Sequence, residues 1–165
     1  MSEAAPIQLE LLSQPRFVCA ARAMVSELAD RIGFNSVHCG QLSLAVDEAL
    51  TNVIKHGYDR REDGKIWISV WQLDGEPPGI RIMVEDRAKQ VDPQTIRSRD
   101  LDDIRPGGLG VHIIKEVMDS AEFTKRDGGG MRLTMIKHIP PGAAKTDIAA
   151  PASSQPTSAS RPDST

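Results

Sequence analysis

The sequence predicts an α+β fold, a two-layer α/β sandwich in which a mostly antiparallel sheet is covered on one face by helices. Three observations support this class. Segments with the two-residue period of strands and the 3.6-residue period of helices follow one another in the order β-α-α-β-β-α-β-β. Two pairs of strands are joined by turn-forming segments, residues 74–79 and 127–130, which favour hairpins. The first two helices carry an apolar stripe, which must be buried against the sheet.

The first half of the chain is predicted to hold one strand and two helices. Ile7–Leu12 is a short apolar run that favours a strand. Pro15 then opens a helix whose apolar residues follow the 3.6-residue period until a glycine ends it. Ser36 is predicted to cap a second helix, which runs to about His56 and stops at Gly57.

The second half is predicted to hold four strands and a third helix. A long, mostly polar stretch, residues 87–105, and a glycine-rich turn separate the first two of these strands from the helix. The strands are predicted at residues 65–73, 80–85, 121–125 and 131–139, and the helix at residues 111–118.

Composition excludes several classes of protein. A chain of 165 residues, 39% of them hydrophobic, can form one domain with a core but not two sizeable ones. Its 20 basic and 23 acidic residues give a net charge of −3, which argues against direct binding of nucleic acid. No apolar run approaches the roughly 18 residues of a membrane span, and the first ten residues lack the features of a secretory signal. We therefore expect a cytoplasmic protein with no membrane partner.

The cysteines and histidines do not have the spacing of a metal site. Cys19 and Cys39 fall in predicted helices and form no CxxC pair, so we expect neither a disulfide framework nor a structural zinc. The histidines show no HExxH pattern or other ligand spacing and are predicted to be surface or half-buried residues. They are His38, His56, His112 and His138.

The chain ends in a segment of biased composition. Of the last 25 residues, 18 are Ala, Pro, Ser or Thr, and Ile148 is the one large aliphatic residue. Such a segment buries too little apolar surface to offset the entropy lost on ordering. We therefore predict a folded domain over residues 1–140 and a disordered tail over residues 141–165.

The second predicted helix carries a polar strip. Glu48, Asn52 and His56 recur one turn apart on one face, beside two alanines that leave room for a ligand. A solvated helix face is the alternative interpretation, since Glu and Asn are common on surfaces. The apolar residues of this helix share another face, which is predicted to contact the sheet: Leu42, Val46, Leu50 and Val53.

Two further features suggest a ligand site. Glycines at residues 107, 108 and 110 precede the third helix, where backbone N–H groups and the helix N-terminus favour an anion, and Arg105 stands beside them. The segment is neither a P-loop nor a dinucleotide fingerprint, and a simple tight loop is the alternative. Asp86 ends a predicted strand, where its carboxylate could accept a hydrogen bond from the amino group of a base or simply cap a turn.

Taken together, three segments resemble a known family. EALTNVIKHGY begins at Glu48, VEDRA spans residues 84–88, and RPGGLGVHIIKEVMD begins at Arg105. In this order they resemble the histidine-kinase-like ATPase superfamily, and within it the stand-alone anti-sigma-factor serine-protein kinases. The resemblance covers about residues 15–139 and implies the Bergerat type of α/β sandwich, with ATP held beneath a mobile lid at about residues 93–108.

The resemblance also implies residue roles. Asn52 would coordinate the Mg²⁺ that bridges the phosphates, and Glu48 would act as the general base toward a substrate serine. Asp86 would bind the adenine amino group. The glycines at 108 and 110 would let the lid hinge and would donate backbone N–H groups to the phosphates. The residues thereby implied in nucleotide binding are Asn52, Lys55, Asp86, Ala88, Arg105, Gly108, Leu109 and Gly110.

One segment departs from the family pattern. Ala88 stands where the family has the glycine of Asp-x-Gly, and alanine resists a positive φ. Lys89 and Gln90 replace the small or proline residues that the pattern favours. We expect these replacements to loosen adenine binding or to slow turnover, and to leave the metal ligand and the base in place.

The resemblance therefore implies an ATP-dependent serine-protein kinase and anti-sigma-type regulator in a partner-switching circuit. It would phosphorylate a STAS-domain anti-anti-sigma protein on serine and sequester a sigma factor or another regulatory protein, and it could form a homodimer. Phosphoryl transfer needs mainly positioning and charge neutralisation, which a metal ligand, cations and a carboxylate supply. The alternative, prompted by Ala88 and Lys89, is a non-catalytic ATP-binding module that acts by sequestration.

Overall fold

The protein is a five-stranded antiparallel sheet with three helices, seen in a computed structural model that describes residues 7–96 and 109–143. The strands are β1 (Ile7–Leu12), β2 (Lys65–Leu73), β3 (Gly79–Asp86), β4 (Ser120–Lys125) and β5 (Met131–His138). The helices are α1 (Val18–Ile32), α2 (Ser36–Asn52) and α3 (Leu109–Val117). The predicted order of elements and the α+β class are confirmed.

The strand order in the sheet is β1-β2-β3-β5-β4, and each neighbouring pair is antiparallel. Val84 of β3 lies opposite Ile68 of β2 on one side and Leu133 of β5 on the other. The central position of β3 therefore places its last residue, Asp86, next to β5, which is distant in the sequence.

Alternate residues of the strands form the core. Ile66, Ile68, Ile80 and Ile82 are fully buried, as two-residue periodicity predicts for the covered face of a sheet. Each such side chain contributes about 1.5–3 kcal/mol of hydrophobic stabilisation. The predicted stripe of α2 meets them, because Leu42, Val46 and Leu50 are also fully buried, while Val53 is half-buried. The opposite face of the sheet, here called the open face, carries Trp67, Trp71 and Arg81, all of them half-buried.

The two ends of α2 differ from the prediction. Asn35, not Ser36, caps the helix, because its Oδ1 accepts a hydrogen bond from the His38 N–H at 3.0 Å. The α-helix ends at Asn52, and Val53–Gly57 forms a wider π-helical turn. The Tyr58 N–H closes this turn by donating to the Val53 carbonyl at 2.9 Å.

The turn between β4 and β5 depends on its glycines, as predicted. Gly128, Gly129 and Gly130 have φ values of +79°, +105° and +88°, which residues with a Cβ rarely adopt. The Arg126 N–H closes the turn by donating to the Gly130 carbonyl at 3.0 Å. This turn, residues 126–130, brings the start of β5 against the end of β3.

The described residues contain no helix long and apolar enough to cross a membrane. Within the same ranges, no group of three or more His, Cys, Asp or Glu residues could hold a metal ion.

Candidate active site

A cavity of about 360 Å³ lies between the end of α2, the sheet and residues 89–96. Its volume is within the range of about 300–1,000 Å³ that is typical of sites for small molecules. Its polar lining includes Asp86 at the end of β3, Asn52 at the end of α2 and His56 in the turn that follows. Its apolar wall suits a flat heterocycle and comprises Ala49, Val53, Val84, Phe123, Met131 and Leu133.

Asp86 is a buried and fixed acceptor, only 4% exposed. The Ala88 N–H donates to its Oδ1 at 2.8 Å, and the Met131 N–H donates to the same oxygen at 3.2 Å. Within the described chain, Oδ2 accepts no hydrogen bond. The carboxylate is thus held by one oxygen and offers the other to a donor on a ligand.

Burial raises the pKa of Asp86, although the N–H groups of Ala88 and Met131 and the charge of Arg126 act in the opposite direction. The carboxylate therefore gains a proton more readily than an exposed aspartate does. A ligand that donates to Asp86 favours the ionised form, so its binding is coupled to pH.

Ala88 is not strained. Among the described non-glycine residues, positive φ occurs at Asp59 and Arg60 only. Ala88 therefore does not adopt the positive φ that alanine resists, and the expected effect of this replacement on adenine binding stays a prediction. Ala88 is not part of the cavity wall; a Cβ added to Gly57 would lie 3.0 Å from its methyl group, so the two residues approach closely.

Glu48 and Asn52 lie one turn apart on α2 and face the first turn of α3. A Cβ added to Gly110 would lie 2.5 Å from Oε2 of Glu48 and 3.1 Å from Nδ2 of Asn52, so only glycine fits there without movement. Both side chains are half-buried and accept or donate no hydrogen bond within the described ranges. They are consequently available to a ligand.

The start of α3 adds an electrostatic component to this end of the cavity. The first N–H groups of a helix have no partner within the helix, and together with the helix dipole they favour negative charge. Gly110 is buried at this start, Val111 lines the cavity, and Leu109 is exposed. The cavity therefore has an apolar part beside Asp86 and, near Asn52, a part suited to an anion.

Other residues implied by the resemblance are not brought into the cavity wall. Lys55 is exposed and lines a separate hollow with Thr51 and Arg60. The π-helical turn explains this, because its larger number of residues per turn keeps His56 below Asn52 and rotates Lys55 away. The role of Lys55 stays a prediction. Arg105, Gly108 and most of the predicted lid lie outside the described residues, although Thr95 and Ile96 line the cavity.

Residues that were not predicted from the sequence support Asp86 from behind. Arg126 donates from Nη1 to the Asp86 carbonyl at 2.6 Å. Gln90 donates from Nε2 to the carbonyls of Arg126 at 2.7 Å and Gly130 at 3.2 Å. The glycine run of this turn was visible as a hairpin signal, but no local pattern linked it to Asp86.

Comparison with known proteins places this site in a family. The family model for the histidine kinase-like ATPase domain matches residues 11–137, which include Glu48, Asn52, Asp86 and Gly110. The chain belongs to the histidine kinase-like ATPase family. This family assignment agrees with the predicted fold, and the matched residues include Asn52 and Asp86 of the cavity.

Within the histidine kinase-like ATPases, the chain is similar to serine-protein kinases named RsbW. It is 29% identical to the one from Oceanobacillus iheyensis (81% of this chain, 86% of the relative) and 30% identical to the one from Listeria monocytogenes (81% and 87%). The one from Bacillus subtilis is 26% identical (81% and 85%). These relatives confirm the predicted family and class of enzyme, a protein-serine kinase.

A solved structure shares the fold. The crystal structure of the RsbU and RsbW domains of a Mycobacterium tuberculosis protein superposes with a TM-score of 0.57 at 20% identity. The match covers 80% of this chain and 31% of the mycobacterial one. This likeness confirms the predicted two-layer sandwich.

Proposed function

We propose that the chain is an ATP-dependent protein-serine kinase that regulates transcription by partner switching, with the cavity beside Asp86 as its ATP site. One observation carries the proposal: a mostly apolar cavity is lined both by the fixed carboxylate of Asp86 and by Asn52, which together with Glu48 faces the start of α3. The base needs an apolar slot and an acceptor for its amino group. The phosphates need donors and positive potential.

The residues of the cavity fit ATP in this orientation. Val53, Val84 and Leu133 would pack against the base, and Oδ2 of Asp86 would accept from its amino group. The phosphates would lie toward Asn52 and the N–H groups of α3. Arg105 and Gly108 keep their proposed roles as phosphate contacts, and the role proposed for Lys55 requires its side chain to reach around α2.

Asn52 is the proposed protein ligand of Mg²⁺, since its amide oxygen is a hard donor and its side chain makes no competing hydrogen bond to a described residue. Mg²⁺ would neutralise charge on the phosphates. Glu48, one turn away, would orient the serine hydroxyl of the substrate and accept its proton. The serine oxygen forms a bond to the γ-phosphorus, the bond from this phosphorus to the β–γ bridging oxygen breaks, and ADP leaves.

The proposed acceptor is a serine of a STAS-domain anti-anti-sigma protein, because the chain resembles kinases of partner-switching circuits. The proposal includes a sigma factor or another regulatory protein as the sequestered partner, a homodimer as the assembly, and the cytoplasm as the place of action. The second candidate, a non-catalytic ATP-binding module, is favoured by Lys89, a departure from the family pattern that lines the cavity.

Asn52→Ala is expected to weaken the binding of Mg-ATP at least tenfold, because the variant loses the metal ligand. Calorimetric titration of the purified chain with Mg-ATP measures this. Thr51→Ala is the matched control, since Thr51 is the preceding residue of α2 and lines the other hollow. Absence of binding by the wild type, or equal loss in both variants, would contradict the proposed site.

Asp86→Asn is expected to lower the affinity for Mg-ATP by about ten- to a hundredfold, because a hydrogen bond to a charged acceptor contributes about 1.5–3 kcal/mol. The same variant is expected to raise the melting temperature. The folded-state pKa of Asp86 lies above the unfolded one, so the ionised form opposes folding at pH values above the folded-state pKa. This destabilisation by ionised Asp86 disappears as the pH falls through that pKa. The higher melting temperature of the variant is therefore expected to disappear over the same pH range.

In the wild type, the affinity for Mg-ATP is expected to fall at acid pH as Asp86 gains a proton. Because its pKa is raised, this fall starts at a higher pH than it would for an ordinary aspartate. Titrations and thermal melts across pH test both statements. Asp127→Asn is the control, since Asp127 is an exposed carboxylate of the neighbouring turn. A variant that binds as tightly as the wild type would show that Asp86 does not contact the base.

A further inference from the structure

The turn at residues 126–130 packs against the end of β3, behind the cavity. A Cβ added to Gly130 would overlap the carbonyl oxygen of Asp86 and would lie 2.6 Å from its carbonyl carbon. The next residue, Met131, donates its N–H to the Asp86 carboxylate. Backbone and side chain of Asp86 are therefore both in contact with the start of β5.

Arg126 fastens this contact. Its Nη1 donates to the Asp86 carbonyl at 2.6 Å, and its Nε pairs with Oε1 of Glu85 at 2.9 Å. The two charged side chains are only 20% and 14% exposed, so their attraction is less screened than that of a surface pair. The guanidinium also lies over the ring of Trp67, 5.3 Å from its centre.

Gln90 provides a second tie on the other side of Asp86. Its amide donates to the carbonyls of Arg126 and Gly130, so the segment after β3 is joined to the turn. This segment includes Ala88, whose N–H donates to the Asp86 carboxylate. The departure from the family pattern at Gln90 therefore supplies contacts that hold the acceptor.

We propose that Arg126 and Gln90 are positioning residues that set the preference for a 6-amino purine over a 6-oxo purine. The inference rests on the proposed ATP site and deepens it. A carboxylate fixed from two sides accepts from an amino group and repels an oxygen at the same position of the ring. If the carboxylate can shift, it attracts the amino group less and also avoids repulsion by the oxygen. The discrimination between the two purines therefore falls.

The test compares the affinities of the full chain for Mg-ATP and for Mg-ITP, which carries oxygen in place of the amino group. We expect Arg126→Ala to reduce the ratio of the two dissociation constants about tenfold, and Gln90→Ala to reduce it about threefold. Arg132→Ala is the matched control, because Arg132 also pairs with Oε1 of Glu85, at 2.8 Å, and makes no hydrogen bond or ion pair with Asp86. It is expected to leave the ratio unchanged.

The ratio separates positioning from general loss of structure, which would weaken both nucleotides alike. An unchanged ratio in Arg126→Ala and Gln90→Ala, or an equal change in Arg132→Ala, overturns the inference and leaves the ATP site standing. If Arg126→Ala does not fold, Gln90→Ala decides, since its side chain is at an exposed position. A wild type that binds neither nucleotide overturns this inference together with the proposed function.

Discussion

Gly130→Ala is expected to destabilise the fold by about 3 kcal/mol or more and to remove detectable nucleotide binding. Two effects add at this residue. A φ of +88° costs a residue with a Cβ about 1–3 kcal/mol, and forcing an extra methyl group into packed backbone costs a similar amount. The methyl group would push Asp86 and the start of β5 apart, which breaks the hydrogen bond from Met131 to the carboxylate.

Gly128→Ala separates these two effects. Gly128 has a φ of +79°, close to that of Gly130, but a Cβ there would meet no atom within 4 Å. This variant is expected to be destabilised only by the cost of the backbone conformation, and to bind Mg-ATP as the wild type does. Urea denaturation and calorimetric titration measure both properties. Equal destabilisation in the two variants would mean that the close approach to Asp86 has no energetic consequence.

Glu48→Gln is expected to reduce phosphoryl transfer by a factor of about 10²–10⁴ while the affinity for Mg-ATP stays unchanged. Glutamine keeps the shape of the side chain beside Gly110 but does not accept the proton of the serine hydroxyl. The measurement is the rate of phosphoserine formation on a STAS-domain anti-anti-sigma protein from the same genome. Nucleotide affinity is measured on the same preparations.

Asp47→Asn is the control for this experiment, since Asp47 is the adjacent residue of α2 and pairs with Arg22 outside the cavity. Full transfer by Glu48→Gln would mean that another group takes the proton. A wild type that binds Mg-ATP but yields no phosphoserine with its acceptor would favour the non-catalytic module. In that case Glu48→Gln would regulate as well as the wild type.

Local pattern predicted most of the fold. The alternation in Lys65–Leu73 fixed both ends of β2, because each second residue must enter the core. The same kind of reasoning predicted a regular α-helix to about His56, but the chain widens to a π-helical turn after Asn52, which a helical wheel with a constant 3.6 residues per turn does not represent. The cap of α2 was placed one residue late because Asn35 and Ser36 are both good capping residues.

The candidate site divides in the same way. Glu48, Asn52 and Asp86 were predicted because each belongs to a short segment with its own pattern. The support given by Arg126 and Gly130 was not predicted, because it depends on the pairing of β3 with β5 and joins residues about 40 positions apart. Sequence spacing carries no record of such a pairing. The placement of Lys55 in the second hollow could not be read from the sequence, because it depends on the π-helical turn.

Trp67 gives the protein an intrinsic optical probe of this region. Its indole lies under the guanidinium groups of both Arg126 and Arg87 and donates Nε1–H to Glu10 at 2.7 Å. Indole emission responds to nearby charge, so the emission of Trp67, on the open face, is expected to change when Arg126 moves relative to the end of β3. The chain has one other tryptophan, Trp71, which stacks with Arg81 further along β2. With phenylalanine at position 71, the tryptophan fluorescence of the protein would come from Trp67 alone, and nucleotide exchange could be followed in real time without a label.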